Sequence, residues 1–235
     1  SQMILMSPQE ELALGMQASK EVLSKGQEER GTPEAEMTNR VGLRIAAAAD
    51  EPDQSLPPRA KFAWEFHTLR DDTPNAFCLP GGKVFVYTGL MKYVASDAEL
   101  AAVIGHEVGH AIARHGAERA SQNSAANMMG EVGSAVLGPL FGAAYGLGMN
   151  YGVLMPFSRM QESEADYIGL LLMAKAGYDP NAALSFWRKM AESGGSKPPE
   201  WLSTHPSDSS RIAEIKSQLP KAMAIYKARQ GNTTQ

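Results

Sequence analysis

Five residues, His106-Glu107-Val108-Gly109-His110, constrain this chain more than any other stretch, because they fall inside a segment with strong helix signals. Ser96-Asp97-Ala98-Glu99 has the form of a capping box, a hydroxyl for the first-turn amides and a carboxylate three residues on that reaches back. The helix it opens is expected to run to about His115, with Gly116 as the stop. Four residues of helix turn through ~400°, so His106 and His110 project within ~40° of each other. Two neutral imidazoles one turn apart can fill two corners of a tetrahedral zinc site. Glu107 lies ~100° further round, close enough to take a proton from a metal-activated water without ligating the metal. By composition alone, HExxH arises in about one chain of this size in a hundred.

A catalytic zinc takes a third protein ligand and keeps a fourth position open. The histidines to search are His67, His106, His110, His115 and His205. The metzincin pattern HExxHxxGxxH fails, because Ala113 stands at its glycine and Gly116 at its last histidine. On a continuing helix His115 points away from His110, which leaves it a supporting or structural part. The remaining option is a glutamate from a second helix, the gluzincin solution, and Glu162-Ser163-Glu164-Ala165-Asp166 supplies the candidates. Glu162 and Asp166 are one helical turn apart and can both face the metal-binding helix. In that arrangement Glu162 ligates the metal and Asp166 accepts the outer N–H of a zinc histidine, fixing its tautomer. Glu164, ~200° round from Glu162, reads as a solvated surface carboxylate. A di-iron carboxylate bundle needs a second ExxH, and Ala165 stands where its histidine would be.

Around this helix the chain reads as α+β, predominantly helical. Ser7-Pro8-Gln9-Glu10 and Thr32-Pro33 open two helices, and a proline-rich linker follows over 50–59. Phe62, Trp64 and Phe66 alternate with Ala63, Glu65 and His67 as in a half-buried strand. Residues 75–80 are extended by composition, Gly81-Gly82 permits a sharp reversal, and residues 83–88 form a further strand, which together suggest a small antiparallel sheet. Further helices are expected over 159–176, 180–192 and 207–227. The expected division is a helical segment over 1–60 packed on a peptidase domain over 61–228, with a flexible tail over 229–235. Residues 132–158 carry no charge, but their glycines and prolines favour close-packed helices and loop over a membrane span. The alternative for them is a segment that touches a membrane or gates the site. A hydrophobic fraction of 43% supports a sizeable core, and a net charge of -4 without long blocks of like charge excludes nucleic acid as an expected partner. The single cysteine, Cys78, excludes an internal disulfide and a cysteine-built zinc site.

These motifs together resemble the HtpX and CAAX-prenyl-protease (Ste-type) family of zinc metallopeptidases, in the gluzincin clan. The resemblance rests on residues 105–110, Ala113-Arg114-His115-Gly116, residues 162–166, residues 75–82, Ala176-Gly177-Tyr178-Asp179-Pro180, and Thr204-His205-Pro206 with Arg211. It implies a gluzincin-type domain with one zinc ion per chain held by His106, His110 and Glu162, and Glu107 as general base and acid. Asp166 and Arg211 would support the ligands. His205 would stabilise the oxyanion or, in a resting state, fill the open coordination site. Asn75, Ala76 and Phe77 would hold an extended peptide by strand addition. The implied activity is endopeptidase cleavage of unfolded or misfolded envelope proteins in quality control. The alternative is a latent or chaperone-like envelope assembly factor that keeps the zinc site. No long apolar helix is evident, so the resemblance is to the bacterial branch that is periplasmic or lipid-anchored to the cell envelope, as in an outer-membrane lipoprotein. The opening residues lack a basic n-region and an apolar h-region, as expected of a cytosolic protein or of one whose targeting segment has been removed; the resemblance favours the second.

Overall fold

Side-chain caps start the helices that Ser7, Thr32 and Ser96 are expected to open. The computed structural model describes residues 4–54, 56–57, 61–119, 121, 156–193, 199–206 and 209–233. Helix α1 (Pro8–Lys25) is closed by a reciprocal Ser7–Glu10 box, and α2 (Pro33–Asp50) by the Thr32 hydroxyl. Strands β1 (Glu28–Glu29), β2 (Glu65–Leu69), β3 (Ala76–Leu79) and β4 (Lys83–Tyr87) make one sheet in the order β1-β2-β4-β3. Strand β1 has no counterpart in the sequence reading, because two glutamates carry no periodicity. It forms only where β2 offers an edge, with Glu28 opposite Leu69 and Glu29 opposite Thr68.

The sheet is mixed, which corrects the antiparallel expectation: β2 and β4 run parallel, while β3 and β4 are antiparallel. After β2 the chain crosses to the far edge and returns as β3. Gly81 and Gly82, with φ of 84° and 87°, then reverse it so that β4 enters between β2 and β3. The hairpin is a local event and visible in the sequence. The β2–β4 pairing is not, because it joins segments with β3 between them. Strand β2 also begins later than the Phe62–Phe66 alternation suggests, although the Ala63 and Glu65 amides still donate to the Gly81 and Gly82 carbonyls.

Alternation along β3 and β4 gives the sheet two covered faces. Ala76, Val84 and Val86 join the main core, whereas Leu79 and Phe85 join a smaller cluster with Leu69 that packs against Val22 and Leu23 of α1. A strand buried on both faces reads as an unbroken apolar run, as Val84-Phe85-Val86 does.

A short helix α3 (Thr88–Met91) leads to α4 (Asp97–Ile112), capped by Ser96 and buried along its whole length from Glu99. It is surrounded by α2, β3, α5 (Arg159–Lys175, opened by a Ser158–Gln161 box) and α6 (Asn181–Glu192). Helix α7 (Glu200–Thr204) carries the chain over the site, and α8 (Ser209–Thr233) continues through Pro220. The expectations for residues 132–155 lie outside the described residues. Among the described residues no helix is long and apolar enough to cross a membrane.

Candidate metal centre

Helices α4 and α5 approach at backbone contact, because small residues face each other across the crossing. A Cβ on Gly109 would lie 2.8 Å from the Ala165 carbonyl oxygen, and one on Gly169 would lie 2.9 Å from the His106 amide nitrogen. This approach lets short carboxylate side chains on α5 reach imidazoles on α4. Gly169→Ala is therefore expected to lower stability by about 1–3 kcal/mol through overpacking, measured as a lower urea midpoint. An unchanged midpoint would show that the spacing does not depend on this glycine.

The ligand candidates converge as the spacing predicts. His110 Nε2 lies 3.1 Å from His106 Nε2 and 3.1 Å from Glu162 Oε1. His205, from the end of α7, places Nδ1 3.0 Å from Glu162 Oε1 and 3.1 Å from His106 Nε2. One ligand atom from each of His106, His110, Glu162 and His205 falls within 4.8 Å of all the others, and all four residues are buried. Three imidazoles and a carboxylate brought this close together are nitrogen and oxygen donors of the kind that hold a divalent metal ion. Glu162 Oε2 is buried without a hydrogen bond, although the Arg211 guanidinium is ion-paired with it. Burial depresses the His110 imidazole well below its ordinary value, outweighing the pull of Glu162, so the ring is neutral and keeps a lone pair for a cation. Burial would raise the Glu162 carboxyl, but His205 and His106 and hydrogen bonds from His110 and His205 hold it far below the carboxylate range. His205 itself is raised: burial opposes its charge, and the carboxylates of Glu107 and Glu162 more than offset that. The donor set fits a divalent cation.

Asp166 and Arg211 also fall where expected. Asp166 Oδ1 lies 2.9 Å from His106 Nδ1. Arg211 donates to both Asp166 oxygens, from Nε at 2.7 Å and Nη2 at 2.9 Å, with its guanidinium carbon 3.5 Å from the Trp187 ring centre. Glu107 Oε1 accepts the Trp201 indole N–H at 2.7 Å and lies 3.3 Å from His205 Nε2. Asn75, Ala76 and Phe77 lie at the start of β3, the outer strand of the sheet beside α4, but the Phe77 ring turns to the α1 side and stacks on Phe85.

His115 keeps the supporting place expected of it, but its direction differs from that of a continuing helix. Helix α4 ends at Ile112, and Arg114 takes a left-handed conformation with φ of 59°. The Glu11 carboxylate and the Met6 carbonyl hold its guanidinium at 2.7 and 2.9 Å. The reversal brings His115 back against His110, with 2.9 Å between their Nδ1 atoms. Glu164, read as a surface carboxylate, meets His115 Nε2 at 3.1 Å.

The sequence reading also missed an aromatic wall. Trp187 and Trp201 stack 4.8 Å apart behind His106, and Phe157 stacks 3.8 Å from the His110 ring. The closeness of Trp201 to His205 in the chain is the one signal that pointed to any of it.

A buried cluster of three histidines and a carboxylate, beside a glutamate that is not part of it, is the arrangement expected of a metal-dependent peptidase. The profile of peptidase family M48 matches residues 34–219, and the chain belongs to that family. It is 41% identical over 186 residues to mitochondrial metalloendopeptidase OMA1 of Schizosaccharomyces pombe, covering 78% of this chain and 52% of that protein. It is 34% identical to metalloendopeptidase OMA1, mitochondrial, of Homo sapiens, covering 74% of this chain and 36% of that protein. It is 30% identical to the Beta-barrel assembly-enhancing protease of Escherichia coli, covering 77% of this chain and 38% of that protein. The chain thus spans about half or less of these relatives. The resemblance holds at the level of peptidase family M48, and the relatives named here do not point specifically to HtpX or the CAAX-prenyl proteases. The expected periplasmic or envelope-anchored location is overturned: relatives from fission yeast, Arabidopsis, budding yeast, cattle and human, at 34–42% identity, are mitochondrial by name.

Proposed function

We propose that this chain is the catalytic domain of a zinc-dependent endopeptidase, with His106, His110 and Glu162 as ligands of one zinc ion. The observation that carries the reading is the convergence of these three buried side chains from α4 and α5, with Glu107 next to them. A zinc ion held there would polarise a peptide carbonyl and make a water acidic near neutral pH. Glu107 takes the proton of the attacking water and delivers it to the departing amide nitrogen. Trp201 and His205 both engage its Oε1, which leaves Oε2 to carry that proton. Asp166 holds the outer nitrogen of His106, and Arg211 holds Asp166 in turn. An extended substrate lies along β3, whose outer position supports binding by strand addition from Asn75 through Phe77. Phe77 serves there through its backbone, since its ring is committed to Phe85. The names of the relatives support polypeptide substrates, and we read a role in protein quality control from the same likeness.

The test is metal analysis beside cleavage of an unfolded protein such as casein. One zinc per chain is expected, with cleavage abolished by a chelator and restored by added zinc. Full cleavage by metal-depleted protein would end the proposal.

A latent form of the same site is the second reading, favoured by the way His205 closes on His106, Glu162 and Glu107. His205 would then occupy the open coordination position until displaced. His205→Ala is expected to raise the rate of casein cleavage severalfold if the site is latent. A fall in kcat would assign His205 to the oxyanion instead.

A further inference from the structure

We infer that His115 and Glu164 are positioning residues for the metal centre, forming a histidine–histidine–carboxylate chain that fixes His110 as a ligand. The inference rests on the zinc reading of the site.

The two metal-facing histidines are supported differently. His106 has its outer nitrogen on the Asp166 carboxylate directly. His110 has no carboxylate at its outer nitrogen. Its Nδ1 instead meets His115 Nδ1 at 2.9 Å, and His115 Nε2 meets Glu164 Oε2 at 3.1 Å. With both imidazoles neutral, a single assignment of protons satisfies all of these contacts. Glu164, as a carboxylate, only accepts, so His115 carries its proton on Nε2 and donates it there. The bare His115 Nδ1 is then an acceptor, and it takes the proton of His110 Nδ1. His110 Nε2 is left unprotonated and faces His106, Glu162 and His205. The tautomer that ligation needs is therefore set by a carboxylate one imidazole further out.

The burial and the backbone agree with this role. His115 is fully buried, yet its two nitrogens are spent on these two contacts. Five residues along a straight helix would turn it ~140° away from His110. The left-handed Arg114, tethered by Glu11 and Met6, ends the helix and carries the ring back. A non-glycine residue in that conformation is uncommon, and the tethers from α1 and the segment before it offset its cost.

The test compares zinc affinity in the whole chain, by competition with a zinc-chelating dye. His115→Leu removes the acceptor while roughly keeping the volume, and zinc is expected to bind ten- to hundred-fold more weakly. His115→Asn, whose side-chain oxygen can stand in for Nδ1, is expected to recover most of that loss. Glu164→Ala, at the half-exposed end of the chain, is expected to weaken zinc severalfold without changing the melting temperature of the metal-free protein. If His115→Leu does not fold, the Glu164→Ala titration alone decides. A two-bond 1H–15N spectrum of the imidazoles should show His110 protonated on Nδ1 and His115 on Nε2 in the zinc form. Wild-type affinity in both the Leu and Ala variants, or the opposite tautomer at His115, would overturn the inference and leave the zinc site standing. A wild-type chain that binds no zinc would instead overturn the zinc reading itself.

Discussion

Glu107→Gln is expected to lower peptide cleavage by about 10²–10⁴-fold, the contribution typical of a positioned general base and acid. The zinc content and melting temperature should stay at wild-type values. The amide keeps an oxygen that can accept the Trp201 indole N–H, which lies 2.7 Å from Glu107 Oε1. It loses the negative charge that faces His205, and with it the ability to take a proton. Side-by-side measurement of casein cleavage, bound zinc and thermal unfolding separates chemistry from structure. Wild-type turnover by the variant would remove Glu107 from the mechanism. Loss of zinc would make it a ligand or a structural residue.

Arg211→Ala is expected to destabilise the metal-free chain by about 3–5 kcal/mol, as removal of one partner from a buried ionic cluster does. Arg211 is only 6% exposed and faces two carboxylates, Asp166 through both oxygens and Glu162 through an ion pair. Without it, two buried anions remain beside His106, and the stacking on Trp187 is lost as well. A bound zinc ion compensates part of the charge, so the loss should be smaller in the zinc form. Urea denaturation with and without zinc measures both quantities. Arg211→Lys keeps the charge but not the planar fork, and is expected to fall between alanine and wild type. An alanine variant as stable as the parent would show that Asp166 and Glu162 are neutralised by other groups.

Both expectations depend on residues whose visibility in the sequence differed. Glu107 was legible from spacing alone, because a capped helix converts sequence distance into angle. Glu162 and Asp166 became candidates for the same reason, each lying on a helix whose period was readable. Arg211 entered through resemblance, since no local pattern links it to a metal. Trp201 was not legible as the partner of Glu107, because a tryptophan in a short helix gives no sign of where its N–H will point. The sheet shows the same division. The Gly81-Gly82 reversal was visible, and the parallel β2–β4 pairing was not.

His115 marks the boundary most clearly. Its sequence context suggested a helix running on to Gly116, and that extrapolation pointed its ring away from the site. Contacts from Glu11 and Met6 hold Arg114 left-handed and turn the ring back to His110. By itself, the sequence determined the helix, the angle between His106 and His110, and the carboxylates able to complete the cluster, since these follow from local periodicity and capping. The tertiary structure alone decided how closely α4 and α5 approach, which strand lies between which, and what stands behind each ligand. Those features depend on contacts between segments distant in sequence, and no local pattern encodes such contacts.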